Sequence, residues 1–231
     1  EAAVATVSVK GNNAPPVWTA PPASNVTEDA VSGGSVTCTG TLNALVTDDT
    51  GAGAGDGLTF SIMNGNRQTM LRTHPDNWGT LLINDSRTGD YTFTLNNQLP
   101  RVQALGEGEI VTAVFTIRVT DKHGGQSDKE LAITITGTND NPVLASLSGL
   151  NVTAEANSAD IVPSQTRQAK ATDVDSDQGA LQYECAFKSA IQNGTPLSGK
   201  QAEDYGTLHL EADGKYWFAL DNSKEAVKAL G

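Results

Sequence analysis

The chain carries one pattern twice. Gly11-Asn12-Asn13-Ala14-Pro15-Pro16-Val17 recurs as Gly137-Thr138-Asn139-Asp140-Asn141-Pro142-Val143, 126 positions later, and Asn25-Val26-Thr27 recurs at the same offset as Asn151-Val152-Thr153. One deletion then brings Thr47-Asp48 onto Thr172-Asp173. Trp78-Gly79-Thr80-Leu81 matches Tyr205-Gly206-Thr207-Leu208, and Tyr91-Thr92-Phe93-Thr94-Leu95-Asn96-Asn97 matches Tyr216-Trp217-Phe218-Ala219-Leu220-Asp221-Asn222. Blocks kept in one order at near-constant spacing mark a repeated structural unit, so the fold is a tandem array. The period lies inside the common domain size of ~100–150 residues, so each copy is one domain.

The boundaries follow from the repeat. Residues 1–13 read as the closing strand of a preceding copy, with Ala5, Val7 and Val9 alternating with Thr6, Ser8 and Lys10 as a half-buried strand requires. They correspond to Leu131, Ile133 and Ile135 alternating with Ala132, Thr134 and Thr136. Residues 14–140 form a complete copy. Residues 141–231 form a second, C-terminally incomplete copy without counterparts to 107–140, which predicts open edges and exposed apolar faces there.

Within the complete copy, strands are predicted at 35–41, 58–63, 80–84, 91–95, 111–120 and 131–137. Each is short, rich in β-branched residues and bounded by Gly, Asn or Asp. Phe115, Ile117 and Val119 share one face, opposite Thr116, Arg118 and Thr120. The spacing at 101–105 and 224–230 predicts short helical turns instead. The chain is therefore all-β, a tandem of antiparallel Greek-key β-sandwiches joined through a Pro-containing linker into a rod.

Charge narrows the functions. With 27 Asp and Glu against 15 Lys and Arg, the net charge is −12, which excludes nucleic acid and anionic lipid as partners. No apolar run approaches the ~20 residues of a membrane span, so no membrane insertion is expected. The two cysteines, Cys38 and Cys185, fall in different copies and predict no disulfide framework. No nucleophile elbow, phosphate loop, zinc-protease helix or Cys-x-x-Cys pair occurs, and none of the three histidines stands in a metal spacing, so no enzyme is expected. A rival reading is a glycan- or ligand-binding sandwich using Trp18 or Trp78 with the His74-Pro75-Asp76-Asn77 loop. Packing under a loop is the more ordinary fate of such tryptophans.

The acids point to a cation. Asp173-Val174-Asp175-Ser176-Asp177 places three carboxylates at alternate positions of a predicted loop, and Asn139-Asp140-Asn141-Pro142 supplies oxygens in the linker. Calcium takes 6–8 such oxygens, and a cation relieves the repulsion of gathered carboxylates. Turn-making is the plainer role of each residue alone. An EF-hand is excluded because its glycine is displaced and no helices flank the loop.

One family accounts for the whole pattern. Asp121-Lys122-His123-Gly124-Gly125, followed by Leu131-Ala132-Ile133-Thr134-Ile135-Thr136-Gly137-Thr138-Asn139-Asp140-Asn141-Pro142, resembles the closing half of a VCBS repeat. Gly89-Asp90-Tyr91-Thr92-Phe93-Thr94-Leu95-Asn96-Asn97 and Leu105-Gly106-Glu107-Gly108-Glu109 fit the same repeat. Such repeats are cadherin/Ig-like domains arrayed in large bacterial surface adhesins of the RTX type. The resemblance implies Ca2+ at domain junctions, secretion to the bacterial cell surface, and an extender role in adhesion and biofilm formation.

Carried over by position, the resemblance implies a junction site of Glu28 or Asp29 with Asn139, Asp140, Asp173 and Asp175, the acidic triplet adding Asp177. Asp121 would serve the upstream junction with Asp48 or Asp49. Ala14 stands where Asp140 stands in the second linker, which removes one carboxylate upstream. Val26-Thr27-Glu28-Asp29 against Val152-Thr153-Ala154-Glu155 shifts the acid by one place. Cys185 falls in register with Ile62 and is expected as a small core residue. Expected partners are neighbouring repeats of the same chain, with strand exchange through residues 1–11 as a further route.

Overall fold

A computed structural model of the 231-residue chain describes residues 6–8, 12–19, 21, 23–28, 35–42, 46–47, 57–175, 181–185, 191–192, 195–196 and 201–230. The chain divides into two compact units, Glu1–Asp140 and Asn141–Gly231.

The first unit contains β1 (Val17–Trp18), β2 (Ser24–Thr27), β3 (Thr37–Gly40), β4 (Val46–Thr47), β5 (Thr59–Asn64), β6 (Arg67–Thr69), β7 (Leu71–Thr73), β8 (Gly79–Asp85) and β9 (Asp90–Leu95). After the short helix α1 (Pro100–Gln103) come the long strands β10 (Ile110–Thr120) and β11 (Gln126–Thr136). A five-stranded sheet in the order β2-β11-β10-β5-β6 faces a four-stranded sheet in the order β3-β9-β8-β7, and β1 pairs with β4. This is a β-sandwich, as the alternating pattern requires. β2 runs parallel to β11, and the other pairings are antiparallel.

Period-two patterning decides which face each strand buries. Along β10, Ala113, Phe115, Ile117 and Val119 are wholly buried, and across the ladder Phe115 stands opposite Leu131 and Ala113 opposite Ile133. β9 supplies Tyr91, Phe93 and Leu95 from the other sheet, and the Phe93 ring meets Phe115 edge-on at 5.9 Å. Each large apolar side chain so buried contributes about 2 kcal/mol relative to exposure, before entropy is counted. The hydroxyls of Ser24 in β2 and Tyr91 in β9 lie 2.5 Å apart and tie one sheet to the other. Arg118, on the outer face of β10, pairs with Asp128 of β11 at 2.7 Å.

The second unit is built from shorter pieces: β12 (Val143–Leu144), β13 (Ile161–Pro163), β14 (Arg167–Gln168), β15 (Ala171–Thr172), β16 (Ile191–Gln192), β17 (Thr195–Pro196), β18 (Gly206–Leu210), β19 (Lys215–Asp221) and α2 (Glu225–Lys228). Its best-formed part is the β18-β19 hairpin, flanked by β13 and β14 on β19. The paired residues away from the turn repeat those of β8-β9: Leu81 stands opposite Phe93 as Leu208 stands opposite Phe218, and Gly79 opposite Leu95 as Gly206 opposite Leu220.

Both expected helical turns are present, as α1 and α2, with Val102 and Val227 buried beneath them. Cys185 differs from expectation. It is exposed, because residues 181–185 enter no ladder among the described residues, whereas Ile62 is held between β10 and β6. The expected closing strand at 1–13 falls mostly outside the described residues, and Thr6, Val7 and Ser8 are exposed.

Candidate functional site

The two long strands give the first sandwich two poles. At about 3.3 Å per residue, the eleven-residue β10 separates them by about 35 Å. At the linker pole β11 ends beside β2, and the amide of Glu28 donates to the carbonyl of Thr136 at 2.8 Å. That pairing fixes Glu28 at the point where the chain leaves for Asn139 and Asp140. Glu28 is only 3% exposed, and its Oε1 accepts from the Gln103 side-chain amide at 2.6 Å. Asp140 is also buried.

A further acid belongs to this pole. Glu107 Oε2 accepts from the Asn139 amide at 3.2 Å, and the Asn139 side-chain amide donates to the Asp140 carbonyl at 2.8 Å. The loop bearing Glu107 is laid along the chain by reciprocal bonds, Gly108 donating to the Gly137 carbonyl and Gly137 to that of Glu109. Neither Glu107 nor Gln103 was nominated from the sequence. The signal for Glu107 lay in Leu105-Gly106-Glu107-Gly108-Glu109, an acid between two glycines just before a strand.

At the opposite pole Asp121 closes the β10-β11 turn. Its Oδ1 accepts from the amides of His123 and Gly125, both at 2.8 Å, and its Oδ2 from the Asn13 side-chain amide at 2.8 Å. The Asn13 amide, followed by these backbone N–H groups, holds the Asp121 carboxyl below its ordinary value against the opposing effect of burial. Gly124 takes φ +90° in this turn, a conformation side chains rarely tolerate.

In the second unit Asp173 and Asp175 are both buried, and the Asp175 amide donates to Asp173 Oδ1 at 3.3 Å. Of the other nominated ligands, Asp29, Asp48 and Asp177 lie outside the described residues. Among the described residues no group of three or more His, Cys, Asp or Glu side chains is gathered so as to hold a metal ion. What they offer is partial sets of hard oxygen donors: Glu28, Glu107, Asn139 and Asp140 in one unit, Asp173 and Asp175 in the other. Burying a carboxylate is unfavourable unless its lost hydration is replaced. Donor type and burial together fit calcium, which prefers such oxygens.

The tryptophans fit a sugar platform poorly. Trp18 is buried, edge-on to Phe60 at 5.8 Å, with its indole N–H bound to the Ser127 carbonyl at 3.2 Å. Trp78 packs against the core, and the Arg101 guanidinium covers its ring at 4.4 Å. No helix among the described residues is long and apolar enough to cross a membrane.

Comparison with known proteins adds three findings. A family model described as a bacterial cadherin-like domain matches residues 13–137, more than half of the chain. Among curated proteins, none matches the chain. Solved structures that the chain matches include the extracellular cadherin domains 1–4 of protocadherin gamma B7, at 18% identity and a TM-score of 0.40, covering 90% of this chain and 41% of that one. The human desmocollin-1 ectodomain is 15% identical with a TM-score of 0.37, covering 92% and 32%. Domains EC22–24 of mouse cadherin-23 are 17% identical with a TM-score of 0.45, covering 91% and 56%. The chain thus spans about half or less of the length of these structures.

Proposed function

The chain belongs to the bacterial cadherin-like domain family, and from that premise we propose that it is a non-catalytic, extracellular adhesion-type module. More finely, it serves as a calcium-stiffened extender in a bacterial surface adhesin, its partners being neighbouring repeats. The observation that carries this reading is the burial of Glu28 and Asp140 at the pole where the linker departs. Glu28 or Asp29, Glu107, Asn139 and Asp140 would be donors before the linker proline, Asp173, Asp175 and Asp177 donors after it. Asp121, with Asp48 or Asp49, would serve the upstream junction.

Bound calcium would supply divalent positive charge to these oxygens. The chain's own residues do the positioning. The β2-β11 ladder sets Glu28 against the start of the linker, Gln103 orients its carboxylate, and Glu107 anchors the Asn139 amide. An ion that binds only this ordered arrangement stabilises it by mass action, by about 2.7 kcal/mol at a hundredfold excess over Kd. At millimolar external calcium even weak sites of this type fill.

Thermal unfolding in calcium and then in excess chelator tests the reading. Chelation is expected to lower the first unit's midpoint by roughly 10 °C, and Glu28→Gln to remove most of that difference while keeping the contact with Gln103. Identical melts with and without calcium would leave the acids as turn-formers and end the extender reading.

A further inference from the structure

Where β6 gives way to β7 the chain passes from the five-stranded to the four-stranded sheet, and two side chains reach back across that passage. The Arg72 guanidinium, from β7, donates to the Met63 carbonyl of β5. The His74 ring, just beyond β7, lies edge-on to Phe115 of β10 at 5.5 Å, and its side chain is 11% exposed. A third group comes from α1: the Arg101 guanidinium lies 4.4 Å above the Trp78 ring.

The two guanidiniums lack a countercharge. The chain has 27 Asp and Glu against 15 Lys and Arg, yet among the described residues neither Arg72 nor Arg101 forms an ion pair with a carboxylate. The nearby acid, Asp76, is 65% exposed and stands 3.8 Å from His74 Nδ1 instead. Burial holds the His74 imidazole below its ordinary value; Asp76 opposes this, and the charges of Arg72 and Arg101 add to it. The ring is therefore uncharged at neutral pH. Its Nδ1 accepts from the Asp76 amide at 3.2 Å, which leaves the proton on Nε2. Two guanidiniums and one imidazole N–H thus share one neighbourhood, and the like charges repel until an anion joins them.

We propose that Arg72, His74 and Arg101 form an anion site that takes the carboxylate of an acidic sugar. Two guanidinium charges less the Asp76 charge leave one positive charge, which matches a monoanion. A planar guanidinium fork suits the two oxygens of a carboxylate, and the indole beneath Arg101 holds that fork in place. Asn77 and Asn96 add side-chain amides for sugar hydroxyls: Asn77 is exposed beside Trp78, and the Asn96 side chain donates to the Asn77 carbonyl at 3.4 Å. The covered Trp78 ring offers no stacking face, so charge selects the ligand. An acidic peptide added as a strand fits less well. The Thr69 hydroxyl already bonds the amide and the carbonyl of Leu71, at the start of the β7 edge. The site lies wholly within the first unit and is independent of calcium.

Isothermal titration of the chain with trigalacturonate in excess chelator tests it. The chelator keeps calcium from bridging the sugar to other acids, so the outcome does not depend on the extender reading. The chain is expected to bind trigalacturonate, more weakly as salt rises, and not to bind its neutral methyl ester. Arg101→Gln, at an exposed position, is expected to keep the parent's melting midpoint and to bind about tenfold more weakly, as is Arg72→Gln. The His74 ring resonances should shift on addition of the acid and not of the ester. No binding of the acid, equal binding of the ester, or affinity unchanged in both variants would overturn the proposal. So would equally tight binding of an oligo-aspartate of the same charge, because the ligand would then be an acidic peptide.

Discussion

The β8-β9 hairpin of the first unit and the β18-β19 hairpin of the second share their register, their opening glycine and the helical turn that follows. They bury their shared residues to different depths. Phe93 is wholly buried, while its counterpart Phe218 is half-buried against a small cluster around Tyr205, Leu220 and Val227. In the first unit β3 flanks β9 and a five-stranded sheet covers the hairpin's inner face. In the second, Ile161, Val143 and Leu147 remain more than half exposed. Register is thus kept by the cross-strand pairing itself, since the β8-β9 turn is two residues longer than the β18-β19 turn and carries a register shift that the other lacks. Burial depends on what the opposite sheet brings.

Core truncation should separate the units most widely. Phe93→Ala is expected to cost about 4 kcal/mol in the first unit's unfolding, against about 2 kcal/mol for Phe218→Ala in the second, read by denaturant titration with a probe in each unit. Equal losses would mean the second core is as well filled as the first.

The opening glycines should bring the units back together. A Cβ at Gly79 would collide with the Phe93 ring and the Thr94 carbonyl, and one at Gly206 with the Ala219 carbonyl and the Phe218 ring. Gly79→Ala and Gly206→Ala are each expected to destabilise their own unit by about 2 kcal/mol. A neutral outcome at either position would show that its hairpin yields locally where the other does not.

The smallest effect concerns the two turn acids. Asp121, held low first by the Asn13 amide, and Asp213, held low first by the Lys215 ammonium, ionise more readily folded than unfolded. Each therefore contributes stability above the ordinary value of 3.8 that is lost as pH falls through the lowered one. Asp121→Asn should flatten the acid limb of the first unit's pH–stability curve and leave that of the second unchanged. An unaltered acid limb would show that Asp121 does not contribute to it.

The strands that were legible in the sequence are those whose apolar and polar side chains alternate: β5, β8, β9, β10 and the second half of β11, together with β3, where Val36 and Cys38 alternate with Ser35, Thr37 and Thr39. β1 and β4 are two residues long, too short for any period to register, and they exist because each borders the core, through Trp18 and Val46. β6 and β7 lie in the polar stretch 64–76, where little apolar alternation shows. Cross-strand pairing makes them strands, and the Arg72 guanidinium returns to the Met63 carbonyl. The acids were legible as a class, because Asp and Asn cluster around the linker. Glu107 was not read as one of them: an acid between two glycines marks a loop before a strand, but not that the loop folds back onto Gly137. Cys185 misled for the converse reason: burial requires neighbouring strands, and residues 181–185 enter no ladder among the described residues.

The parallel pairing of β2 with β11 has a mechanical consequence. β2 lies near the start of the first unit and β11 at its end, and they point the same way. Tension applied between the ends of this unit would draw β2 towards the Asp121 pole and β11 towards the linker, sliding one strand along the other. Every rung between Ser24 and Thr136 would then be strained together, whereas an antiparallel terminal pair would peel apart one rung at a time. Such a clamp slows forced rupture, which is governed by the unfolding rate, a property that the proposed extender role would call on.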